Sequence, residues 1–468
     1  MHDVGQLIDG TWTPGSGEAR LTVLNPADGA AVTTVMVAAQ ADVAAAVKAA
    51  RDAAPAWSRT PPGARGAALH KAADALEAAA AELAAIMSAE MGKPVGGAED
   101  SIGAGVGTLR QYAELGPTHR GRALAGNDEA IDLMAYGPRG VVAVVTPWND
   151  PVAVSCGLLG AALVTGNTVV YKPSERTPAT GRRLAELLAP HFPDGVFSLL
   201  SGDGTVGAEL AAAEVDVVAH VGSTATGRAI AAACARTGAK ALLENGGSDP
   251  LIVDADVDPA WAAEQAALGS FANSGQICVA VERIYVHRDV ADAFLHELAE
   301  QAKPWAQDLG PLVDTRLRDA VHAQVSAAVE AGARVLTGGE VPDGPGAYYP
   351  PTVLADCTDD MAVVREETFG PVAPVVVVDS FGEGLARAAQ SPYGLAATVL
   401  TGSMSHAQQA WRELPVGTVK VNAVFGGAPG GAAHPRGGSG QGFGYGPELL
   451  DELTVMKAVH LEAPPTGW

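Results

Sequence analysis

Short, fully apolar runs alternate with longer segments in which apolar residues recur every three or four positions, beginning near residue 140. Such runs are typical of strands buried on both faces, and the spacing between them is typical of helices. Repeated units of this kind predict a doubly wound parallel sheet and therefore an α/β fold. The predicted strands of this first series lie at residues 140–145, 168–171, 196–200, 217–221 and 240–243.

A second α/β series is predicted from about Leu251 to Val421. Helical spacing of apolar residues also predicts helices before the first series, at residues 39–54 and 62–91 and then to about residue 115. At 468 residues the chain is long enough for two or three domains. The remaining predicted strands lie at residues 284–286, 335–336, 375–378, 397–400 and 454–459, with short strands in residues 1–35 and an extended arm at 120–137.

The charge balance argues against nucleic acid and anionic membranes as partners. The chain has 30 basic and 53 acidic residues, a net charge of −23, whereas nucleic-acid binding needs clustered Lys and Arg. Four scattered cysteines without a CxxC pair, and no His cluster at ligand spacing, predict neither disulfides nor a metal site. The chain begins without a basic-then-apolar signal, and glycines interrupt its longest uncharged run, residues 151–171. We therefore expect no membrane span and a reducing cytoplasmic location.

Cys278 follows Gly275-Gln276 and precedes a predicted buried strand. Gly275 predicts a turn, so the thiol is expected on a tight turn at the edge of a sheet. A partly accessible thiol with a backbone amide beside it is suited to nucleophilic catalysis. Taken alone, however, a free cysteine is more often a small buried apolar residue.

Three loops compete as a dinucleotide-binding site. Residues 202–207 match G-x-G-x-x-G between a strand and a helix, but no acidic residue follows at the expected distance of about 20 positions. Residues 221–227 form a second glycine turn, whose free amides at a helix N-terminus could hold a pyrophosphate. Lys172 and Glu175 end another predicted strand and offer a cation and a carboxylate for ribose hydroxyls. Each of the three could also be an ordinary turn.

Two further polar residues follow apolar strands. Glu244 precedes two glycines at the expected carboxyl edge of a sheet, where it could be a general base with a raised pKa or a solvated strand end. Asn149 lies between Trp148 and a proline two residues on, so that its amide could be a fixed oxyanion donor or part of a proline-rich turn.

The order of these motifs is more specific than any one of them. It closely resembles that of the aldehyde dehydrogenase superfamily, from residues 8–12 to the last predicted strand. In chain order the motifs are PWN (147–149), KPSE (172–175), GSTxxG (222–227), ENGG (244–247), GQxC (275–278) and EETFGP (366–371).

The resemblance implies two doubly wound parallel-sheet domains and a β oligomerisation arm. It places the NAD-binding domain at residues 1–119 and 138–246 and the catalytic domain at 247–446. Residues 120–137 and 447–468 form the arm, through which the family builds homodimers or homotetramers.

The resemblance also implies a role for each matched residue. Cys278 is the nucleophile, Asn149 the oxyanion donor and Glu244 the general base that activates water on a thioester. The expected oxidant is NAD rather than NADP, because the Glu175 carboxylate would repel a 2′-phosphate. The implied cofactor contacts are Trp148, Lys172, Glu175, Gly222, Ser223, Glu367 and Phe369.

The sequence departs from the family in the expected substrate tunnel. Asp150 and Arg436 stand where apolar or aromatic residues are usual, so they either pair with each other or bind a polar aldehyde such as a semialdehyde, aminoaldehyde or hydroxyaldehyde. Gly157 stands where many members have tryptophan, which widens the tunnel. Residues 444–446 replace a Gly-Arg-Glu motif, so the proton from the general base is expected to leave through water or Glu448.

Two alternatives remain open from the sequence. The first is transfer of the acyl group to coenzyme A instead of water, against which the intact Glu244 argues. The second is a non-catalytic binding or structural protein that retains only the fold, against which the combination of Cys278, Asn149 and Glu244 argues.

Overall fold

The computed structural model describes residues 2–426 and 434–464. The helices are α1 Gln40–Arg59, α2 Pro62–Ala78, α3 Ala80–Met91, α4 Val95–Thr118, α5 Pro151–Val164, α6 Pro178–Leu188, α7 Gly204–Ala211, α8 Thr224–Thr237, α9 Pro259–Phe271, α10 Arg288–Asp308, α11 Thr315–Glu330, α12 Ala362–Arg365, α13 Phe381–Ala388, α14 Met404–Glu413 and α15 Glu448–Glu452. The strands are β1 His2–Val4, β2 Gln6–Ile8, β3 Thr11–Thr13, β4 Arg20–Leu24, β5 Ala31–Met36, β6 Arg122–Leu124, β7 Ala130–Pro138, β8 Val141–Val145, β9 Thr168–Lys172, β10 Phe197–Leu199, β11 Val217–Val221, β12 Lys240–Glu244, β13 Asp249–Val253, β14 Val281–His287, β15 Arg334–Thr337, β16 Thr352–Ala355, β17 Val372–Val378, β18 Ala396–Leu400, β19 Thr418–Val421, β20 Gly440–Gln441 and β21 Thr454–Glu462.

The larger sheet has the strand order β20-β12-β11-β8-β9-β10-β2-β3. Its strands from β12 to β10 run parallel to one another, and antiparallel strands extend it at both edges. After β8 the chain adds β9 and β10 on one side of the sheet, and then β11 and β12 on the other. The loops after β8 and β11 therefore open a crevice at the carboxyl edge, which is where sheets of this kind bind ligands.

Both faces of this sheet are covered, which explains the apolar runs in the sequence. Every residue of β8 is buried. Val142 and Val144 pack into the core on one face, whereas Val141 and Val145 pack into the core on the other. This follows from the period of two in a strand, where successive side chains point to opposite faces.

The second sheet has the strand order β15-β16-β17-β14-β13-β18-β19 and is parallel except for β15. It also separates two cores, since Leu251 and Val253 of β13 pack on one face and Ile252 packs on the other. The turns that precede β14 and β17 lie at the amino edge of this sheet, and that edge faces the carboxyl edge of the first sheet.

Two smaller sheets complete the fold. One has the order β1-β5-β4 near the N-terminus, and the other has the order β21-β7-β6. β21 pairs with β7 along its whole length, from Thr454 to Glu462, and β6 and β7 lie in the segment expected to be an arm. Leu449, Leu450 and Leu453, just before β21, pack into the core of the larger sheet.

The predicted α/β class with two doubly wound sheets is confirmed. The segment 62–91, predicted as one helix, forms two helices that meet at Ala79, whose φ of −102° and ψ of 9° break the helix. No glycine or proline marks this break in the sequence. β20 (residues 440–441), within the range assigned to the catalytic domain, pairs with β12 of the first sheet. The sequence analysis also does not identify the four-residue strands β16 and β19.

The turn before Cys278 has an unusual backbone. Asn273, Ser274 and Gly275 adopt positive φ angles of 50°, 57° and 74° in succession. A Cβ atom at Gly275 would lie 2.0 Å from the carbonyl oxygen of Gly370. Only glycine fits this position, because a side chain would meet both backbone strain and the neighbouring chain.

We expect Gly275→Ala to destabilise the protein far more than Gly29→Ala. Gly29 has a similar φ of 77°, but a Cβ added there would meet no atom within 4 Å, so it isolates the cost of backbone strain, about 1 kcal/mol. Gly275→Ala adds the clash with Gly370 and should lower the free energy of unfolding by about 3 kcal/mol or more. Urea unfolding followed by tryptophan fluorescence measures both variants, and equal losses would contradict this account of the turn.

Candidate active site

Loops from both sheets enclose a cavity of about 470 Å³. The loops after β8 and β11 contribute one wall, and the turns before β14 and β17 contribute the other. Residues far apart in the sequence therefore line a single space. The site residues predicted from the sequence that line this cavity are Trp148, Asn149, Asp150, Gly222, Ser223, Cys278, Glu367 and Phe369.

Hydrogen bonds fix the turn that carries Cys278. The side chain of Gln276 accepts from the backbone N–H of Val313 at 2.9 Å and donates to the carbonyl of Asn273 at 3.0 Å. Ser274 donates from its hydroxyl to the carbonyl of Gly310 at 2.7 Å. Cys278 itself is half-buried, so that its sulfur is held by a rigid turn and remains reachable from the cavity.

The side-chain amide of Asn149 lies against this turn. Its Nδ2 donates to the carbonyl oxygen of Gln276 at 3.1 Å, and Nδ2 of Asn273 donates to the same oxygen at 3.1 Å. Two amides thus share one acceptor, two residues before Cys278. This contact crosses from the first sheet to the second and places an amide donor beside the thiol.

Cys278 lies in a strongly acidic environment. Burial, followed by the charges of Glu244, Asp249 and Glu367 and then that of Asp150, raises the pKa of the thiol to about 12. A thiolate, the nucleophilic form, is therefore scarce at neutral pH unless a base removes the proton as the bond forms.

Glu244 ends β12 and is the carboxylate that most raises the pKa of the thiol. Burial raises the pKa of Glu244 to about 8, and the nearby amide of Gly444 opposes this in part. Its Oε1 is buried and has no hydrogen-bond partner among the described residues. A Cβ at Gly444 would lie 2.2 Å from the Cγ of Glu244, so the glycine makes room for this carboxylate.

The proton route through Glu448 has no support in the contacts of the described residues. Glu448 lies on α15, where its charge raises the pKa of Tyr112 rather than that of Glu244. Tyr445 is the nearer group, because the charge of Glu244 contributes to its raised pKa, after burial.

Glu367 and Phe369 are held by an acid that the sequence analysis does not identify. The carboxylate of Glu282 accepts from the backbone N–H groups of Thr368 at 2.9 Å and Phe369 at 3.0 Å. Glu367 in turn accepts from the N–H of Gly247 at 2.9 Å. Glu282 lies within β14 amid apolar residues, where only its burial with two backbone partners reveals a role.

A second cavity of about 780 Å³ adjoins the first at Trp148, Gly222 and Ser223. It runs between α7 and α8, with Lys172 and Glu175 on one side. Ser223 is the N-cap of α8, so the positive end of that helix faces the cavity.

These features fit a dinucleotide. They provide a cation and a carboxylate for ribose hydroxyls, a helix N-terminus for a pyrophosphate, and Glu367 and Phe369 at the far end. Residues 202–207, the rival glycine motif, contribute Gly204 and Gly207 to the wall along α7. All three loops proposed from the sequence therefore border one connected space.

Arg176 links the two halves of this space and is a second residue that the sequence analysis does not identify. Its guanidinium pairs with Asp314 of the second domain at 2.9 Å and stacks over the ring of Trp148 at 5.2 Å. Trp148 makes an edge-to-face contact with Phe369 at 5.5 Å between ring centroids. An ion pair and two ring contacts thus hold the loop of Asn149 against the segments that precede α11 and β17.

Asp150 does not pair with Arg436, which was the first of the two alternatives that the sequence leaves open. Asp150 accepts from the hydroxyl of Ser101 and lies 3.9 Å from the Nζ of Lys93. Arg436 is exposed and forms no ion pair with any described residue. Its backbone N–H donates to the carbonyl of Gly394 at 3.0 Å, and Arg436 is not among the residues that line the cavity of Cys278.

Gly157 is buried within α5 and is not among the residues that line the cavity of Cys278. A Cβ at this position would meet no atom of the described residues within 4 Å. Because Gly157 does not line that cavity, the widened tunnel stays a prediction. Residues 427–433 of the glycine-rich loop lie outside the described part of the chain.

The described residues form neither a metal-binding group nor a membrane-spanning helix. No group of three or more His, Cys, Asp or Glu within 2–426 and 434–464 is arranged to hold a metal ion. In the same ranges, no helix has the length and apolar character needed to cross a membrane.

Comparison with known proteins agrees with the geometry. The model of the aldehyde dehydrogenase family matches residues 12–459. A mitochondrial aldehyde dehydrogenase of Leishmania tarentolae is 37% identical over 470 residues, which cover 97% of this chain and 94% of that protein.

Solved structures are similar over nearly the whole length. Lactaldehyde dehydrogenase from Escherichia coli superposes with a TM-score of 0.95 at 33% identity, covering 98% of this chain and 99% of its own. An indole-3-acetaldehyde dehydrogenase complexed with NAD⁺ superposes with a TM-score of 0.96 at 33% identity, covering 99% of this chain and 97% of its own. The chain therefore belongs to the aldehyde dehydrogenase family, as the order of its motifs predicts.

Proposed function

We propose that the protein oxidises an aldehyde to the carboxylic acid with NAD, through a thioester on Cys278. The observation that carries this proposal is the amide of Asn149 lying on the cysteine turn, inside a cavity that Glu367 and Phe369 also line. An NAD⁺ complex of a protein 33% identical to this one supports the choice of cofactor.

The first step is attack of Cys278 on the aldehyde carbon. The sulfur forms a bond to carbon, and the thiol proton passes to Glu244, the carboxylate that most raises the pKa of the thiol. The carbonyl oxygen becomes an oxyanion, which accepts from Nδ2 of Asn149 and from the backbone amide of Cys278. Both donors belong to fixed loops, so they need no reorganisation when the charge develops.

The thiohemiacetal collapses to the thioester, and NAD, when bound, supplies the hydride acceptor for this step. Lys172 and Glu175 would bind the adenosine ribose of NAD, Gly222 and Ser223 its pyrophosphate, and Glu367 its second ribose beside Phe369. Trp148 packs between the two cavities. Glu244 first passes the thiol proton to solvent water and is a base again. It then takes a proton from a second water as that water attacks the thioester carbon; the carbon–sulfur bond breaks, the acid is released, and the sulfur takes the proton from Glu244 to restore the thiol.

The substrate is proposed to be polar. Asp150 and Lys93 place charged groups in the wall of the cavity, and a hydrocarbon chain packed against them would leave Oδ2 of Asp150 without a hydrogen-bond partner among the described residues. A similar structure is named for lactaldehyde, which carries a hydroxyl group. Gly157 leaves room for bulk, whereas Arg436 plays no part in this proposal because it is exposed.

We also propose that the protein forms a homo-oligomer and is located in the cytoplasm. Apolar side chains are exposed on the sheet of β6, β7 and β21, including Ile131 (62% exposed) and Leu461 (55%), and a second copy would cover them in a homodimer or homotetramer. We place the enzyme in the cytoplasm, where its free thiols stay reduced.

Aldehyde-dependent reduction of NAD, with and without coenzyme A, tests the reaction. We expect reduction without coenzyme A, with the free acid as product, and its loss in Cys278→Ala. Cys234→Ala, a buried cysteine on α8, is the matched control and should keep activity. A requirement for coenzyme A would favour acyl transfer, and activity that survives Cys278→Ala would exclude the thioester route.

The turnover rate should rise with pH through about 8. The pKa of Glu244 is raised to about 8, so the base form that activates water accumulates only as pH rises past this value. Glu244→Gln should lower kcat by about 100-fold or more and remove this limb of the pH profile. Glu366→Gln, an exposed carboxylate nearby, is the control; a limb that persists in Glu244→Gln would assign it to another group.

Glu175→Ser should shift the cofactor preference towards NADP. Removing the carboxylate removes its repulsion of a 2′-phosphate, and we expect the ratio of kcat/KM for NADP to that for NAD to rise by about tenfold, or about 1.4 kcal/mol. Glu209→Ser, which removes an exposed charge on α7, should leave the ratio unchanged. No gain in Glu175→Ser would show that another residue sets the preference.

A further inference from the structure

Asp150 occupies the N-cap position of α5 but does not cap the helix. A carboxylate at this position usually accepts from the first free N–H groups of its helix. Here Oδ1 instead accepts from the hydroxyl of Ser101 and faces the ammonium of Lys93, 3.9 Å away. The carboxylate is therefore held outward from its own helix by α4 and the residues just before it.

Lys93 and Ser101, which position Asp150, are buried, whereas the side chain of Asp150 is partly exposed. The side chain of Lys93 is 9% exposed, while that of Asp150 is 37% exposed. Ser101 is also buried, on α4. No described residue donates to the second oxygen, Oδ2. Since Asp150 lines the cavity of Cys278 and its charge contributes to the raised pKa of that thiol, we place this free acceptor in the space that receives the aldehyde.

We propose that Asp150, positioned by Lys93 and Ser101, selects aldehydes that carry an uncharged hydroxyl group on the second or third carbon. This inference rests on the proposed function, because it names the substrate class of the same cavity. The hydroxyl donates to the carboxylate of Asp150 while the carbonyl oxygen accepts from Asn149. The two residues are consecutive, with Cα atoms about 3.8 Å apart, so the two groups they bind are only a few bonds apart.

The charges of the site favour a neutral polar group. Asp150 and Lys93 have opposite charges that sum to zero, and burial lowers the pKa of Lys93 while Asp150 opposes this. A substrate carboxylate would be repelled by Asp150, and Arg436 is too exposed to compensate. A substrate ammonium would bring a second cation beside Lys93. A hydroxyl group adds a hydrogen bond without adding charge.

Matched aldehydes test this selection. The probes are 2-hydroxypropanal against propanal, and 3-hydroxypropanal against 3-aminopropanal and 3-carboxypropanal, each read by NADH absorbance. For the wild type we expect kcat/KM to be at least about tenfold higher for each hydroxyaldehyde than for its partners. A preference for propanal or for either charged aldehyde would overturn the proposal.

Variants separate recognition from the intrinsic reactivity of the probes. Asp150→Leu removes the acceptor but leaves Lys93 buried without its partner, so the double variant Lys93→Met with Asp150→Leu replaces the pair by apolar groups. In the double variant the ratio for 2-hydroxypropanal over propanal should fall at least about tenfold below that of the wild type, while NAD binding, followed by tryptophan fluorescence, is retained. An unchanged ratio would overturn the role of Asp150.

The same assays distinguish failure of the proposed reaction from failure of the selection by Asp150. If no aldehyde reduces NAD in the wild type, the proposed function itself fails. If propanal is oxidised in a Cys278-dependent way but the hydroxyl group gives no advantage, only the selection by Asp150 fails.

Discussion

The hydrogen bond from Asn149 to the carbonyl of Gln276 joins the two sheets at the point where the chemistry is proposed to occur. The parallel strands of the first sheet end at this junction, and the turn into β14 of the second sheet begins there. The bond fixes an amide donor relative to the thiol two residues further on. Asn273 shares the acceptor and, like Gly275, has a left-handed backbone, while Gly275 lies close to the carbonyl of Gly370. Catalytic geometry here depends on a strained turn that packing against the neighbouring chain maintains.

The second constraint is electrostatic. Several carboxylates lie around one thiol, and burial raises the pKa of Glu244 to about 8 and that of Glu282 to about 8. Lys420 is the cation whose charge interacts with both Asp249 and Cys278, and burial lowers its own pKa. The site thus keeps its acids partly protonated and its nucleophile as a thiol. The site therefore carries little unpaired charge. Bond formation at the sulfur must then be coupled to transfer of the thiol proton.

The sequence was most informative where a motif spans few residues. Runs of valine predict β8 and its neighbours because both faces of the strand are buried, and the order of short motifs identifies the family. The sequence was less informative where hydrogen-bonding or charged partners are far apart along the chain. Glu282 supports a loop 86 residues away, and Lys93 meets Asp150 only because α4 packs on α5. No local pattern marks such pairs.

Arg436 is exposed and does not pair with Asp150, for a related reason. Its position in the motif order implied a tunnel wall, but the direction of a side chain in a glycine-rich segment depends on backbone angles that glycine leaves open. Asp150 illustrates the opposite case. Its position was predicted as a charged group in the cavity wall, but its partners were not, because the hydroxyl belongs to Ser101 on α4 and the buried cation, Lys93, lies in the loop before that helix.

In the proposed reaction, Cys278 carries the acyl group during turnover. Mass spectrometry of the Glu244→Gln protein tests this directly, quenched after a single turnover of a short aldehyde with excess NAD at alkaline pH. Alkaline pH ionises part of the thiol without Glu244, whereas the attacking water still lacks its base, so the thioester should accumulate. The account predicts a mass increase equal to the acyl group on the peptide that contains Cys278. Formation of NADH without any adduct on this peptide, or with the adduct on another residue, would contradict it.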